Sequence, residues 1–281
     1  GDITGVGQTL DKRGAGTLML SGQANLEEIS LSTGTLAIDN TATLDVTGEI
    51  DFRSSGGAIT LCSSDANTLT VGSSATPILI NLSSDVTLGT DGTGDLVFYG
   101  ELRGGGGAKV ITINNDTTTF YGSVTGSTNP ITKAGSGTLV LVNSSISKPL
   151  QIEDGTVQIG DGGTTGTLGT VAIENNGALV INRSGDIVIS QAISGTGSLT
   201  RMGAGTLVFS GANTYSGTTT VTDGLLRLSN SLALQNSTLT VNDVEFDSSV
   251  TGNAFTLGGL SGSGDLVLAN NAATPDAIAL T

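Results

Sequence analysis

Carboxylates are the side chains of this 281-residue chain whose type and spacing offer chemistry. Asp243, Glu245 and Asp247 alternate, so an extended strand places all three on one face. Asp45 with Glu49 and Asp51 forms a second acidic group. A close pair of carboxyl groups is the arrangement with which glycosidic bonds are cleaved, one acting as acid and the other as base or nucleophile. Other catalytic sets are excluded by composition. The chain has no histidine, which removes Ser-His-Asp and Cys-His nucleophiles. Cys62 is the only cysteine, so no intrachain disulfide forms and no His/Cys metal cluster exists. A set of basic and aromatic residues able to hold an anionic sugar chain is not expected around them, and outward acids also serve to keep an aliphatic protein soluble. The expectation is a chain that is not an enzyme, with no catalytic residue, no cofactor-binding residue and no metal ligand.

Four other features give the same answer. Gly92-Thr93-Gly94-Asp95 and Gly262-Ser263-Gly264-Asp265 approach a calcium-binding nonapeptide, but the spacer before the Asp and the tandem nine-residue period are missing. Gly104 to Gly107, followed by Lys109, lacks the Gly-Lys-Ser/Thr order of a phosphate loop and reads as a flexible turn. Tyr99, Tyr121 and Tyr215 are dispersed and make no sugar platform, and Tyr215 is expected to pack in a turn. Cys62 follows the apolar pair Ile59/Leu61, so alternation points it outward, with burial at a corner as the other option.

Composition describes the elements that position these groups. There are 43 Gly, 4 Pro and no Trp; aromatics are 3%, so a core of large rings is not available. Hydrophobic residues reach 37% and mean hydropathy is +0.19, enough aliphatic surface for an ordered fold. Only 12% of residues are charged, and the net charge is −15. That surface repels nucleic acid and anionic lipid, and the ten basic residues are scattered apart from Lys12-Arg13. No run of 18 apolar residues appears, so the segment is not expected to insert directly into a membrane. No signal peptide precedes Gly1 and the chain opens without Met, which suggests a processed or excised segment.

The dominant period is two. Leu18/Leu20, Leu36/Ile38, Ile78/Ile80, Leu139/Leu141, Leu207/Phe209, Leu226/Leu228 and Leu239/Val241 are some of the apolar pairs that recur along the chain. That is the alternation of strands with one buried face, separated by Gly, Asn, Asp and Ser turns, and no convincing helix interrupts it. The pattern also repeats. Ile193, Gly195, Gly197, Leu199, Arg201, Gly203, Gly205, Thr206 and Leu207 correspond to Ile3, Gly5, Gly7, Leu10, Lys12, Gly14, Gly16, Thr17 and Leu18. A third copy keeps Ile131, Lys133, Gly135, Gly137, Thr138 and Leu139. Copies fall near 3–38, 131–159 and 193–228, with a partial copy from 260. Leu18 to Leu36 and Leu139 to Val157 are 18 residues, and Leu207 to Leu226 is 19. That length suits one rung of a parallel β-helix; residues 1–281 then form a single all-β solenoid of about thirteen rungs. A β-sandwich would need hairpins and leaves the repeat length unexplained. The register places Leu18, Leu20, Leu139, Leu141, Leu207 and Phe209 inward and Thr17, Thr138 and Thr206 outward.

Gly203 to Leu228, with Ser210-Gly211-Ala212-Asn213-Thr214-Tyr215-Ser216-Gly217 at its centre, resembles the passenger-associated transport repeat, also called the autotransporter-associated β-strand repeat. The copies at Gly14 and Gly135 keep both strand ends and lose the Asn-Thr-Tyr centre. Ser55-Gly56-Gly57-Ala58-Ile59 also resembles, once, the GGAI repeat of chlamydial polymorphic outer-membrane proteins. The resemblance implies a right-handed parallel β-helix, extracellular or on a bacterial cell surface and outer-membrane associated, delivered by a membrane barrel that this segment does not include. It implies structural roles for the repeat residues. The expected function is a stalk or scaffold of an exported surface protein, a possible adhesin. The alternatives are a self-assembling filament or surface-layer subunit and a polysaccharide-active β-helix enzyme. Expected partners are host or cell-surface molecules, or copies of the chain itself joined end to end through rungs left unpaired at Ile3 and Thr281. Nucleic acid is not among them.

Overall fold

The structure is a computed structural model of the 281-residue chain, and it describes residues 3–4, 7–39, 44–54, 56–143, 145–240 and 242–281. Gly5, Ser55 and Val241 of the patterns above lie outside the described residues. The protein is all-β, a parallel-strand solenoid of about thirteen turns, with a 3-10 turn at Thr251–Asn253 as the helical segment among the described residues. Its residues group into two units, 1–149 and 150–281.

In unit 1 the first turns alternate between two sheets, and from Ile59 on each turn of the chain lays one strand on each of three sheets. Ile78–Leu82, Val86–Leu88 and Leu96–Phe98 follow one another, and Gly100–Gly104 then returns to pair in parallel with Ile78–Leu82, Gly100 opposite Ile78. Rungs here vary in length, from Leu18 opposite Leu36 to Phe52 opposite Leu82. The inward residues stack into columns such as Val71, Phe98, Phe120 and Leu141, and the rings of Phe98 and Phe120 lie 4.8 Å apart at 11°. A parallel ladder brings equivalent residues of successive strands to about 4.8 Å, the spacing of stacked rings.

Unit 2 is more regular. Leu179, Leu199, Thr219, Leu239 and Leu260 are successive ladder partners, and a further sheet aligns Ile189, Phe209, Leu228 and Phe246. The repeat spacing read from sequence is this ladder: Leu18 pairs with Leu36, and Leu207 with Leu226. The strand after each of these turns opens behind a glycine, Gly34, Gly155 or Gly224, with φ of 82°, 65° and 73°. L side chains disfavour that left-handed region, and glycine enters it without a steric penalty.

Leu20, Leu139, Leu141, Leu207 and Phe209 are buried, Thr17 is exposed, and Thr138 and Thr206 are half-buried. Leu18 is only half-buried, because Thr17–Leu20 is the edge of its sheet and packs against Gly34–Ile38 on one side. Leu207→Ala is expected to cost about 2–5 kcal/mol and Thr206→Ala far less, measured by urea denaturation. Equal losses would mean the inward and outward faces are exchanged.

Candidate binding faces and the residues of the repeat

The repeat spends its polar residues inside. Asn213 is buried; its Oδ1 accepts the Ile193 amide at 2.9 Å and its Nδ2 donates to the Ala233 carbonyl at 2.9 Å. One side chain thereby joins three rungs. Tyr215, also buried, shares a hydrogen bond with Thr219, whose hydroxyl meets Ser237 at 2.7 Å, and Ser237 donates to the Gly217 carbonyl. Burial pushes the Tyr215 phenol up to about 12, against the opposing pull of those hydroxyls. Asn213 and Tyr215 therefore hold rungs in place with buried side chains, while Thr214 between them is exposed and joins the adjacent rungs through its backbone.

Lys12, Lys133 and Arg201 occupy one position of the repeat, and all three are buried. Lys12 donates to the carbonyls of Gly14 at 2.6 Å and Thr33 at 2.9 Å, and Lys133 to Gly135 at 2.5 Å. Arg201 donates to the carbonyls of Ile181, Met202, Arg183 and Gly205. Each cation closes over the glycine turn that follows it, where the bent backbone gathers carbonyls; the Met202, Arg183 and Gly205 carbonyls that Arg201 reaches also accept a backbone amide each. Burial lowers the Arg201 pKa. Lys109, Lys148 and Arg183 are likewise buried and donate to backbone carbonyls. Lys148 reaches the Gly104 carbonyl, 44 residues earlier, at 3.4 Å, and a Cβ on Gly104 would lie 2.5 Å from its Nζ. Sequence reasoning placed Lys12, Lys133 and Arg201 in the repeat but missed this role. The available signal was their position, two residues after an inward leucine or isoleucine.

The four other arginines sit outside in ion pairs with carboxylates. Arg13 pairs with Asp11 and Arg103 with Glu101, and Arg53 reaches Glu28 at 3.0 Å and Asp51 at 3.7 Å. Arg227 meets Glu245 across a rung at 2.9 Å. With six of the ten basic residues inside, the solvent-facing surface is more acidic than the net charge of −15 suggests.

The two acidic groups are not assembled into clefts. Glu245 is paired with Arg227; Asp247 accepts the Ser229 hydroxyl and the Ser249 amide; Asp243 stands just before the strand Val244–Phe246 with φ 25°. Burial raises the Asp247 pKa, and the hydrogen bonds of Ser229 and Ser249 outweigh it, leaving the group lowered. In Leu44–Phe52 the pairing with Ala24–Leu31 shifts by one residue near Gly48, so that Asp45 stands opposite Asn25 and Glu49 opposite Glu28. Asp51 is buried and accepts the Ser83 hydroxyl at 2.9 Å. Burial, then the neighbouring Asp51 and Glu28, raise the Glu49 pKa. Among the described residues no three His, Cys, Asp or Glu side chains are placed to hold a metal ion. In the first glycine-rich segment the Asp95 carboxylate accepts the Thr117 amide at 2.9 Å, and in the second Asp265 is exposed.

Three expectations change. Tyr99 and Tyr121 are not dispersed: they stack across a rung, 4.7 Å apart at 10°, because the register that aligns Phe98 with Phe120 aligns the next residues too. Gly104 belongs to a strand, and the turn after it is held by Gly105 donating to Leu82 and by Lys109 donating to Gly106. Cys62 points outward by alternation yet is buried, as is its ladder partner Ala37, and burial raises the thiol pKa. Tyr215 packs in its turn as read.

The sequence model of the passenger-associated-transport-repeat matches residues 10–46, 131–159 and 199–228. The protein is a passenger-like β-helical repeat protein. Over 176 residues, 58% of the chain, it is 34% identical to a protein described as an adhesin BmaC autotransporter of Brucella suis biovar 1 (strain 1330). The match covers 5% of that relative's length. No solved structure matches the chain. Similarity to an autotransporter passenger implies a surface-exposed or secreted protein. No helix among the described residues is long and apolar enough to cross a membrane.

Proposed function

We propose that this passenger segment is a rigid scaffold within a surface-displayed adhesin, and that it performs no catalysis. One observation carries the reading: among the residues that define the repeat, Asn213 and the cations at Lys12, Lys133 and Arg201 are buried and bonded to the backbone of their own and adjacent rungs, and Tyr215 is buried with its hydroxyl on Thr219. A motif selected for turnover would present its polar groups in a cleft. The outward carboxylates support the same reading, since Glu245 and Asp247 each have a separate partner. Antibody raised to the chain is expected to label intact bacteria that make the full protein; labelling that requires permeabilised cells would overturn display. The purified chain is expected to leave polygalacturonate at its original length. Shortening of that polymer, lost on combining Asp243→Asn with Glu245→Gln, would replace the scaffold by an enzyme.

A further inference from the structure

In unit 1 the outward residues of one sheet form a row of hydroxyls. Thr35, Thr60, Thr87 and Thr112 are successive ladder partners on Gly34–Ile38, Ile59–Ser63, Val86–Leu88 and Lys109–Ile113. All four are half-buried, and none of their hydroxyls has a hydrogen-bond partner among the described residues. They lie along two hollows, of ≈ 540 and ≈ 250 Å³, that meet at Gly57 and Ala58 and together cross four rungs. The side wall is braced: Ser54 takes the Ser84 hydroxyl as acceptor for its amide at 2.6 Å and donates its own hydroxyl to Gly57, while Ser83 is tied to Asp51. Asp85 is the carboxylate lining the hollows, and it is engaged by the Val110 amide at 2.8 Å. Lys109 turns to the Gly106 carbonyl.

We propose that this groove binds a linear, uncharged polysaccharide lying across the rungs, its hydroxyls exchanging hydrogen bonds with Thr35, Thr60, Thr87 and Thr112. A threonine hydroxyl both donates and accepts, as a sugar hydroxyl does. The hydroxyls recur at about 4.8 Å, so the complementary ligand is one that repeats along its length. Each exposed hydrogen bond adds little by itself, and affinity accumulates with the number of rungs engaged. An acidic polymer is disfavoured by the net charge of −15. A peptide adding itself as a strand finds no edge, because Ile59–Ser63 is already paired on both sides, with Gly34–Ile38 and Val86–Leu88. Among the described residues no aromatic ring lines the groove, so recognition rests on the hydroxyl row.

The test is equilibrium binding of the purified 281-residue chain to an array of linear neutral glycans (xylan, mannan, dextran and β-glucan oligomers) with polygalacturonate and an unrelated peptide library alongside. At least one neutral glycan is expected to bind, more tightly as the oligomer lengthens and with little response to salt. Combining Thr60→Val with Thr87→Val is expected to weaken it ~10-fold, the loss of about two modest hydrogen bonds, while Thr220→Val in unit 2 leaves it unchanged. Ala58→Leu, at an exposed position where the hollows meet, fills the groove and blocks binding without touching the threonines. Failure of every neutral glycan to bind, tighter binding of polygalacturonate or of a peptide, or wild-type affinity in the groove variants would overturn the proposal. Surface labelling of intact cells is read separately, so loss of this site leaves the scaffold reading standing.

Discussion

Asn213→Ala is expected to destabilise the protein by about 2–6 kcal/mol, because two buried backbone groups, each costing about 1–3 kcal/mol when left unpaired, lose their partner together. Those groups are the Ile193 amide and the Ala233 carbonyl, one rung before and one rung after the side chain that serves both. An alanine methyl reaches neither, and the site is closed to water, Asn213 being 1% exposed. Asn236→Ala is the control: that side chain donates to Thr214 from an exposed position and its loss is expected to cost less than about 0.5 kcal/mol. Urea denaturation followed by circular dichroism measures both. Similar shifts for the two variants would show that Asn213 does not clamp the rungs.

Gly217→Ala is the second large effect, by steric overlap instead of lost bonding. A Cβ at this last residue of the motif would stand 2.2 Å from the carbonyl oxygen and 2.5 Å from the carbonyl carbon of Gly197, in the rung before. Neither atom can move without parting Thr218–Val221 from Ser198–Met202. Overpacking of this kind costs about 1–3 kcal/mol and more where backbone must shift. Gly16→Ala, where a Cβ meets nothing within 4 Å, is expected to be nearly silent. A Gly217→Ala protein with the melting temperature of the parent would mean that successive rungs are not in the close contact described.

The legible part of the fold was local. Alternation marks which side of a strand is apolar, and the length of one coil sets the distance between ladder partners, so Leu207 and Leu226 could be paired by counting. Where rung length varies, counting fails. Tyr99 and Tyr121 stack because insertions in unit 1 bring residues 22 apart into register, a distance that no copy of the repeat announces. Period two also placed Lys12, Lys133 and Arg201 on the same face as Leu10, Ile131 and Leu199, yet a charge argues for solvent. The carbonyls gathered at the glycine turns supply enough acceptors to hold these cations inside, and that gathering exists only once the chain has coiled.

The carboxylates and the threonine row complete the contrast. From sequence alone the chain is an all-β solenoid with the repeat of an exported passenger, because strand period and repeat length are properties of neighbouring residues. Which polar groups meet was decided by tertiary structure. Glu245 is neutralised by Arg227 from another rung, and Thr35, Thr60, Thr87 and Thr112, scattered over 78 positions, become one row. Stacking at the spacing of a β-ladder turns distances along the chain into contacts across it, and those contacts depend on the length of every intervening turn.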